Sequence, residues 1–261
     1  MILEEFDPCK EAIINPWNSI DPVENFPDTV ISIFSKQLFE KILAIFPEAK
    51  KIGETHDVDG VWPVYELNYG GYRFAYAKAR VGASSCVGFF EDMLGMGGKR
   101  ILLLGNCGVL DDNIEDCGII IPTKAIRDEG TSYHYAPAAD MIDVNHKYVD
   151  VFEQMLDELG YSYTEGITWT TDGFYRETRA KMERRKAMGA ITVEMECSAM
   201  QAMCDFRGIE FFQFLYAGDS LAKPEWDPRS LSGNVKLSEK EKIAMLLFEL
   251  AVRIETITKD E

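Results

Sequence analysis

The sequence has few histidines, few cations and no long apolar run. Its three histidines and six cysteines contain no C-x-x-C pair, and no zinc-binding pattern can be assembled from them. Lys and Arg number 27 against 44 Asp and Glu, and this net charge of −17 argues against a nucleic-acid-binding surface. No apolar stretch approaches the roughly 20 residues that a membrane span needs. The composition therefore predicts no metal site, no nucleic-acid partner and no membrane span.

The first residues, MILEEFD, lack the basic and apolar regions of a secretory signal. Cysteines without a disulfide framework are typical of a reducing compartment, so we expect a cytoplasmic protein. The acidic balance does not exclude an anionic small molecule as ligand, because one or two local cations can bind a phosphate against an adverse net field.

Strand-like and helix-like segments alternate from residue 28 to the end of the chain. Residues 1–27 contain four prolines and are predicted to form an N-terminal arm with at most a short helix, followed by a single domain over residues 28–261. Arg100–Leu104 (RILLL) is typical of a strand buried on both faces of a sheet. The alternation predicts a three-layer α/β/α sandwich around a central twisted mixed β-sheet.

Ligands of open α/β sheets bind at the carboxyl ends of the strands. After Arg100–Leu104 comes Gly105–Leu110 (GNCGVL), whose two glycines either let a ligand approach the backbone or form a tight turn. After the strand predicted at Ile167–Thr171 comes Asp172–Thr178 (DGFYRET). This segment either stacks on a planar ring and bonds its edge, or is a capped helix start with two core aromatics.

Two more strand ends carry carboxylates. Glu194 and Glu196 follow a short strand, and a carboxylate there can accept both hydrogen bonds of a vicinal diol. The alternative is that Glu196 only opens a helix, where the helix dipole favours an acid. Asp219 follows the buried strand predicted at Glu210–Ala217. It is either a general acid with a pKa raised by burial, or the residue that caps a turn.

These segments, in this order, resemble the nucleoside phosphorylase-I superfamily. That group includes purine and uridine nucleoside phosphorylases, AMP nucleosidases and methylthioadenosine nucleosidases. The resemblance covers about residues 28–257 and is carried by Gly105–Leu110, Lys124–Pro137, Trp169–Thr178, Val193–Ala199 and Gly218-Asp219. It implies a phosphorylase/hydrolase-like fold, a role in nucleoside metabolism such as purine salvage, and no cofactor other than inorganic phosphate as co-substrate.

The resemblance also implies roles for individual residues. Asp219 would protonate N7 of a purine base, and Glu196 would bind the ribose hydroxyls as the second catalytic residue. The substrate-binding residues implied for ribose and base are Asn106, Cys107, Gly108, Phe174, Tyr175, Arg176, Glu194, Met195 and Glu196.

The phosphate ligands of the family are not all present. Its Gly-Asp-Pro-x-Arg loop is replaced by Phe34–Leu38, and its second phosphate arginine by Leu103. Arg80, beside the start of a predicted helix, could bind phosphate together with Lys36 and Asn106. Alternatively, water attacks the sugar, as in the nucleosidases.

The family's residues that recognise the base and the ribose 5′-hydroxyl are also replaced or missing here. The Gln-x-Arg pair that reads uracil in the family is replaced by Thr178 and Ala180, and no His precedes His56 to bind a ribose 5′-hydroxyl. We expect a nucleoside phosphorylase that yields free base and ribose 1-phosphate. The alternatives are a nucleosidase acting on a nucleoside or AMP, and a non-catalytic nucleoside-binding relative. The family's assembly implies a homodimer or a hexamer built from dimers.

Overall fold

A computed structural model describes residues 2–260, with nothing stated of the Asp260 side chain. Ten strands form one mixed sheet. They are β1 (Thr29–Ile33), β2 (Lys50–Asp57), β3 (Gly60–Tyr69), β4 (Tyr72–Lys78), β5 (Arg100–Val109), β6 (Ile119–Asp128), β7 (Met141–Asp143), β8 (Tyr163–Thr171), β9 (Ala190–Glu194) and β10 (Glu210–Ser220). The helices are α1 (Pro16–Ser19), α2 (Lys36–Leu43), α3 (Ala83–Met96), α4 (Val149–Leu159), α5 (Arg179–Ala187), α6 (Cys197–Arg207) and α7 (Leu237–Asp260).

The sheet runs in the order β10-β6-β8-β9-β5-β1-β4-β3-β2, and β10 also pairs with β5. The second pairing closes β10, β6, β8, β9 and β5 into a ring, while β1, β4, β3 and β2 extend from β5 as an open sheet. The mixed α/β architecture with a central sheet is therefore confirmed. The alternation of strands and helices does not predict that half of the sheet closes into a ring.

Helices cover both faces of the open part of the sheet. Successive residues of β5 point to opposite faces, so Ile101 packs with α3 and α6, whereas Leu102 packs with α2, α4 and α7. Both side chains are fully or almost fully buried. This two-sided burial explains why the strand is apolar without alternation, and it makes β5 the rigid centre from which the polar strand ends project.

The edge of β5 that pairs with β1 changes partner partway along the strand. β1 pairs with Thr29↔Arg100 through Ile33↔Leu104, and β9 takes over only at Gly108↔Val193. The opposite edge pairs with β10 throughout. Residues 105–107 therefore have no strand partner on one edge, and the divergence of β1 from β9 opens a crevice there. The crevice lies at the carboxyl end of β1, where α/β sheets bind ligands.

Two strands are longer than the sequence pattern predicts. β5 continues through Gly105–Val109 instead of turning after Leu104, and β10 continues through Asp219 to Ser220. The tight-turn interpretation of Gly105–Leu110 is therefore wrong, because the segment stays extended and pairs with β10 as far as Val109.

The N-terminal arm packs beside the C-terminal end of α6. It contains a 3₁₀ turn at Ile2–Glu4 and the short helix α1. The Lys10 ammonium lies 3.8 Å from the centroid of the Phe206 ring, and Arg207 lies over Trp17. Within residues 2–260, no helix has both the length and the apolar composition needed to cross a bilayer.

Candidate active site

The crevice beside β5 leads into a cavity of about 760 Å³. Its wall is built from the carboxyl ends of β1, β5, β9 and β10, the segment after β8 and the loop after β10. The lining residues are Phe34, Val81, Asn106, Cys107, Gly108, Phe174, Tyr175, Glu177, Arg179, Met182, Val193, Glu194, Met195, Glu196, Asp219, Leu221, Pro224, Trp226 and Leu231. A volume of this size is typical of small-molecule sites.

Asp219 reaches the cavity through an irregularity in the pairing of β10 with β5. Ala217 pairs with Cys107 and Asp219 pairs with Gly108, so Gly218 is an extra residue on β10. Such a bulge rotates the following side chain out of the regular alternation. Gly108 is needed opposite it, because a Cβ there would lie 3.1 Å from Asp219 Oδ1 and 2.6 Å from a methyl of Leu221.

The Asp219 carboxylate is held by the loop that follows β10. The Trp226 indole Nε1 donates a hydrogen bond of 2.6 Å to its Oδ2 atom. Burial raises the pKa of Asp219, and the hydrogen bond from Trp226 and the charge of Arg229 oppose that rise. A raised pKa favours the protonated form that a general acid needs.

Glu194 is the anchor of the β9–α6 junction. Its Oε2 accepts hydrogen bonds of 2.7 Å from the backbone amides of Glu196 and Cys197, at the start of α6. Its Oε1 accepts bonds from the hydroxyls of Thr170 (2.6 Å) and Thr168 (3.4 Å) on the neighbouring strand β8. Burial raises the pKa of Glu194, and these four donors oppose the rise. The carboxylate lines the cavity but is already fully bonded by the protein.

Glu196 is placed differently from the helix-opening role considered for it. It stands at the residue before α6, but its side chain makes no capping hydrogen bond, because Glu194 serves the helix amides instead. Its Oε1 accepts a hydrogen bond of 2.5 Å from the amide of Gly82, whose φ of 91° favours glycine. The side chain is 6% exposed, and burial together with the nearby Glu194 raises its pKa to about 8.

Met195 completes this wall between the two glutamates, and the segment Asn106–Gly108 forms the floor on β5. The Cys107 thiol is buried, and burial raises its pKa well above its ordinary value, so it presents a neutral surface. Asn106 lies in the stretch of β5 where one edge of the strand pairs with neither β1 nor β9.

The segment after β8 contributes aromatic side chains but not its arginine. Phe174 and Tyr175 line the cavity with ring centroids 4.0 Å apart, and Phe174 is half exposed at the mouth. Arg176 is exposed and does not line the cavity, because the 3₁₀ turn Phe174–Arg176 directs it outward. The prediction that Arg176 contacts the base therefore has no support in this geometry.

Two charged lining residues, Glu177 and Arg179, were not among the site residues assigned from the sequence. Arg179 donates hydrogen bonds to the carbonyls of Leu221 (2.9 Å), Lys223 and Pro224 (3.0 Å), so it ties the loop after β10 to α5. Glu177 faces Asp219, and burial raises its pKa to about 7 with a contribution from the Asp219 charge. Their only sequence signal is their position, since Glu177 lies within the DGFYRET segment and Arg179 directly follows it.

The cations predicted for phosphate do not line the cavity. Arg80 forms ion pairs with Asp57 and Asp59, at the turn between β2 and β3, and its guanidinium stacks 4.7 Å from the centroid of the Trp62 ring. Lys36 is exposed and lies 3.7 Å from Glu40 on the same helix. Among the residues considered for phosphate, only Asn106 belongs to the cavity wall. Phosphate binding by Arg80 and Lys36 remains a prediction that requires new side-chain positions.

The stretch that replaces the family's phosphate loop also contributes an apolar surface. Phe34, at the end of β1, lines the cavity where a glycine-rich loop is absent. Within residues 2–260, no group of three or more His, Cys, Asp or Glu side chains is arranged to hold a metal ion.

The sequence model of the phosphorylase superfamily matches residues 29–251, so the chain belongs to that superfamily of nucleoside-processing enzymes. Uridine phosphorylase of Escherichia coli strain K12 is 21% identical over 184 residues, which cover 65% of this chain and 71% of the relative. Purine nucleoside phosphorylase of Plasmodium falciparum isolate 3D7 is 24% identical over 198 residues, covering 73% and 78%.

A solved structure shows the same fold over almost the whole length. Purine nucleoside phosphorylase from Toxoplasma gondii, in complex with immucillin-H, matches with a TM-score of 0.71 over 93% of this chain and 95% of the other. The sequence identity is 17%, so this similarity establishes the fold and leaves substrate and chemistry to the site itself.

Proposed function

We propose that this protein cleaves the N-glycosidic bond of a ribonucleoside, with phosphate as the acceptor, to give a free base and ribose 1-phosphate. The observation that carries the proposal is that Glu196 and Asp219 line one cavity from different walls. Cleavage of this bond develops positive charge on the sugar and negative charge on the base. An acid near the base and a carboxyl group near the sugar therefore match both developing charges.

On the sugar side, Glu196 accepts hydrogen bonds from the 2′- and 3′-hydroxyls. Its backbone is fixed by the bond from its own amide to Glu194, and its Oε1 is oriented by the Gly82 amide. A carboxylate held in place before the substrate arrives loses little entropy on binding. The hydroxyl donors of the diol favour the ionised form of Glu196 against the effect of burial, and the ionised carboxylate favours the cationic sugar that develops as the bond breaks.

On the base side, Asp219 donates its proton to the leaving heterocycle. General acid catalysis of this kind contributes about 10²–10⁴-fold. Burial keeps the carboxyl protonated at a higher pH than in water, and Trp226 fixes its orientation. Phe174 and Tyr175 supply apolar ring faces against which a planar base can stack.

Phosphorolysis additionally requires that an anion be held below the sugar. The relatives named above are phosphorylases, which supports phosphate as acceptor. In this proposal Arg80 exchanges its bonds with Asp57 and Asp59 for phosphate oxygens, and Asn106 contributes an amide donor. The acceptor, the base and any 5′ substituent are proposals that the family alone does not determine.

One specific observation favours hydrolysis as the second candidate. Of the lining residues, Arg179 is the only cation, and its guanidinium is already bonded to three backbone carbonyls. Arg80 is bonded to two carboxylates outside the cavity wall. A neutral water molecule needs neither cation, so the same acid and sugar ligand would serve a nucleosidase.

A substrate screen separates these reactions. Purine and pyrimidine nucleosides and AMP are incubated with and without phosphate, and the sugar product is identified. Phosphate-dependent formation of ribose 1-phosphate supports the proposal, and free ribose formed at the same rate without phosphate supports hydrolysis. Binding without turnover of any of these compounds contradicts both and supports a non-catalytic binding protein.

We further propose that the protein needs no metal or organic cofactor and that copies associate around the cavity mouth. Val81 and Tyr175 are 63% and 88% exposed there, and apolar surface at a site entrance is typical of an interface. A dimer or hexamer is the expected mass in solution. The cytoplasmic location remains a prediction.

A further inference from the structure

Lys240 is a buried cation outside the cavity wall, and the reaction as proposed makes no use of it. It is the fourth residue of α7 and is 1% exposed. Within residues 2–260 its ammonium forms no ion pair with a carboxylate. It donates instead to the backbone carbonyls of Ser230 and Ser232, the second at 3.1 Å. Both acceptors belong to the loop after β10, so the cation is spent on holding that loop.

Stability alone does not account for this ammonium. Removing a cation from water is costly unless a carboxylate compensates its charge, and neutral carbonyls compensate it only in part. Burial accordingly lowers the pKa of Lys240. The first turn of a helix is also the end at which the helix dipole disfavours a cation. An apolar side chain of similar length would fill the same space more favourably, which indicates a role for the ammonium other than folding.

The ammonium connects the loop to the strand that carries Asp219. Its two carbonyl acceptors lie on either side of Leu231, a residue of the cavity wall. It also lies 5.6 Å from the centroid of the Tyr216 ring, which stands on β10 three residues before the acid. A cation over an aromatic ring is attracted to the ring face. Lys240 therefore holds residues 230–232 against the end of β10.

The loop held in this way reaches the acid at two points. A Cβ built on Gly218 would lie 3.6 Å from a Leu231 methyl, so Leu231 packs beside the bulge that directs Asp219 into the cavity. Trp226, in the same loop, donates the hydrogen bond to the Asp219 carboxylate. Displacement of the loop would remove this hydrogen bond and the packing beside the bulge together.

We propose that Lys240 is a positioning residue for the general acid: its buried ammonium holds the loop after β10 so that Trp226 and Leu231 orient Asp219 toward the leaving base. Lys240 does not line the cavity, so it acts through the loop and not on the substrate. This inference rests on the proposed function, since it concerns the acid of the same site. Removal of the ammonium should spare the fold and the sugar side while it impairs protonation of the base.

The test compares Lys240→Met with the wild type on two substrates that differ in their leaving group. Lys242→Met is the matched control, because Lys242 is exposed two residues further along α7. With a purine nucleoside, Lys240→Met should lower kcat about tenfold with little change in KM, the effect of one lost hydrogen bond to a charged group. With 4-nitrophenyl riboside, whose phenolate leaves without a proton, kcat should stay near the wild-type value. Lys242→Met should leave both rates unchanged.

Two outcomes of these kinetics overturn the inference. One is an equal loss on the two substrates, which would mean that the loop serves binding or folding and not the acid, and the other is unchanged turnover of both. Lys240→Arg, which keeps the charge and the donors, should recover part of the purine turnover. Lys240→Met should unfold at the same denaturant concentration as the wild type or at a higher one. A marked loss of stability in both Lys240→Met and Lys240→Gln would assign the ammonium to folding instead.

Hydrogen exchange provides a readout that does not depend on turnover. In Lys240→Met the hydrogen-bonded amides of the loop, such as those of Asp227 and Leu231, should exchange faster than in the wild type. The amides of β9 and α6, on the sugar side, should keep their rates. Unchanged exchange in the loop overturns the inference whatever the activity. Faster exchange in a protein that cleaves no nucleoside supports the role of Lys240 in holding the loop, and only the proposed function then fails.

Discussion

The β9–α6 junction and the loop after β10 each place a carboxyl group in the cavity, but they hold it by different means. Glu196 lies on a wall whose anchor, Glu194, is 5% exposed and accepts four hydrogen bonds, two from β8 and two from the start of α6. Asp219 is held by one bond from Trp226, a residue that is 58% exposed. Buried, fully satisfied networks are rigid, whereas exposed contacts are weak.

The difference corresponds to what each end of a nucleoside requires. The ribose diol is the same in every ribonucleoside, so a rigid wall built before binding suits it. The base varies and must leave, so its side is formed by exposed aromatics and a loop tied down by Arg179.

Glu196→Gln should lower kcat/KM by about 100-fold, because hydrogen bonds to a charged group contribute about 1.5–3 kcal/mol each. The loss should appear with every nucleoside that the enzyme cleaves, since all share the diol. Steady-state kinetics with ribosides and 2′-deoxyribosides measure it, and the variant should discriminate less against the deoxy compounds. A loss restricted to one base would contradict the assignment of Glu196 to the sugar.

Gly108→Ala should destabilise the fold by about 1–3 kcal/mol and lower activity, because the new methyl overlaps Leu221 and crowds Asp219. Chemical denaturation measures the stability, and initial rates measure the activity. Gly88→Ala is the control, since Gly88 is exposed in α3 with nothing within 4 Å of the added Cβ. There alanine should stabilise the helix by about 0.5–1 kcal/mol. Equal effects at both positions would exclude a close approach at Gly108.

Trp226→Phe should shift the alkaline limb of the pH–rate profile upward. The indole bond stabilises the ionised form of Asp219, so its removal raises the pKa of Asp219 further and keeps the acid protonated to higher pH. A shift of roughly one pKa unit corresponds to about 1.4 kcal/mol. Trp17→Phe, on the exposed N-terminal arm, serves as the control. An unchanged or downward-shifted limb would show that the bond does not stabilise the ionised form of Asp219.

The last prediction concerns stability against pH in the absence of ligand. The pKa of Glu177 rises from 4.5 to about 7 in the folded protein, so its contribution to stability is present below pH 4.5 and is lost as pH rises through about 7. Melting temperatures should therefore fall from pH 5 to pH 8 more steeply in the wild type than in Glu177→Gln. Parallel curves would mean that the carboxyl is solvated as in the unfolded chain.

The sequence predicts the apolar framework well, because RILLL is typical of a strand buried on both faces. It predicts the lengths of β5 and β10 poorly. Gly105 and Gly108 indicate a turn by their local pattern, but pairing with β10 keeps them extended. β2 was missed because its sequence, KKIGETHD, is that of a charged edge strand, with little apolar periodicity.

The candidate site, like the fold, could be predicted only in part from the sequence. Glu194, Glu196 and Asp219 could be predicted because each lies at or just after the end of a strand, and strand ends meet in space. The sequence did not show that Glu194 serves the α6 amides while Glu196 faces the cavity, since both acids have the same local signature. Nor did it show that Arg80 binds Asp57 and Asp59, because those acids come from a hairpin whose position depends on the tertiary fold.

The most direct test of the central claim measures Asp219→Asn on two substrates that differ in their leaving group. With a purine nucleoside, whose base must be protonated to leave, kcat should fall by about 10²–10⁴-fold. With 4-nitrophenyl riboside, whose phenolate leaves without a proton, we expect near-normal turnover by Asp219→Asn, whereas Glu196→Gln should impair turnover of both substrates. An equal loss on the two substrates in Asp219→Asn would contradict the assignment of Asp219 as the acid.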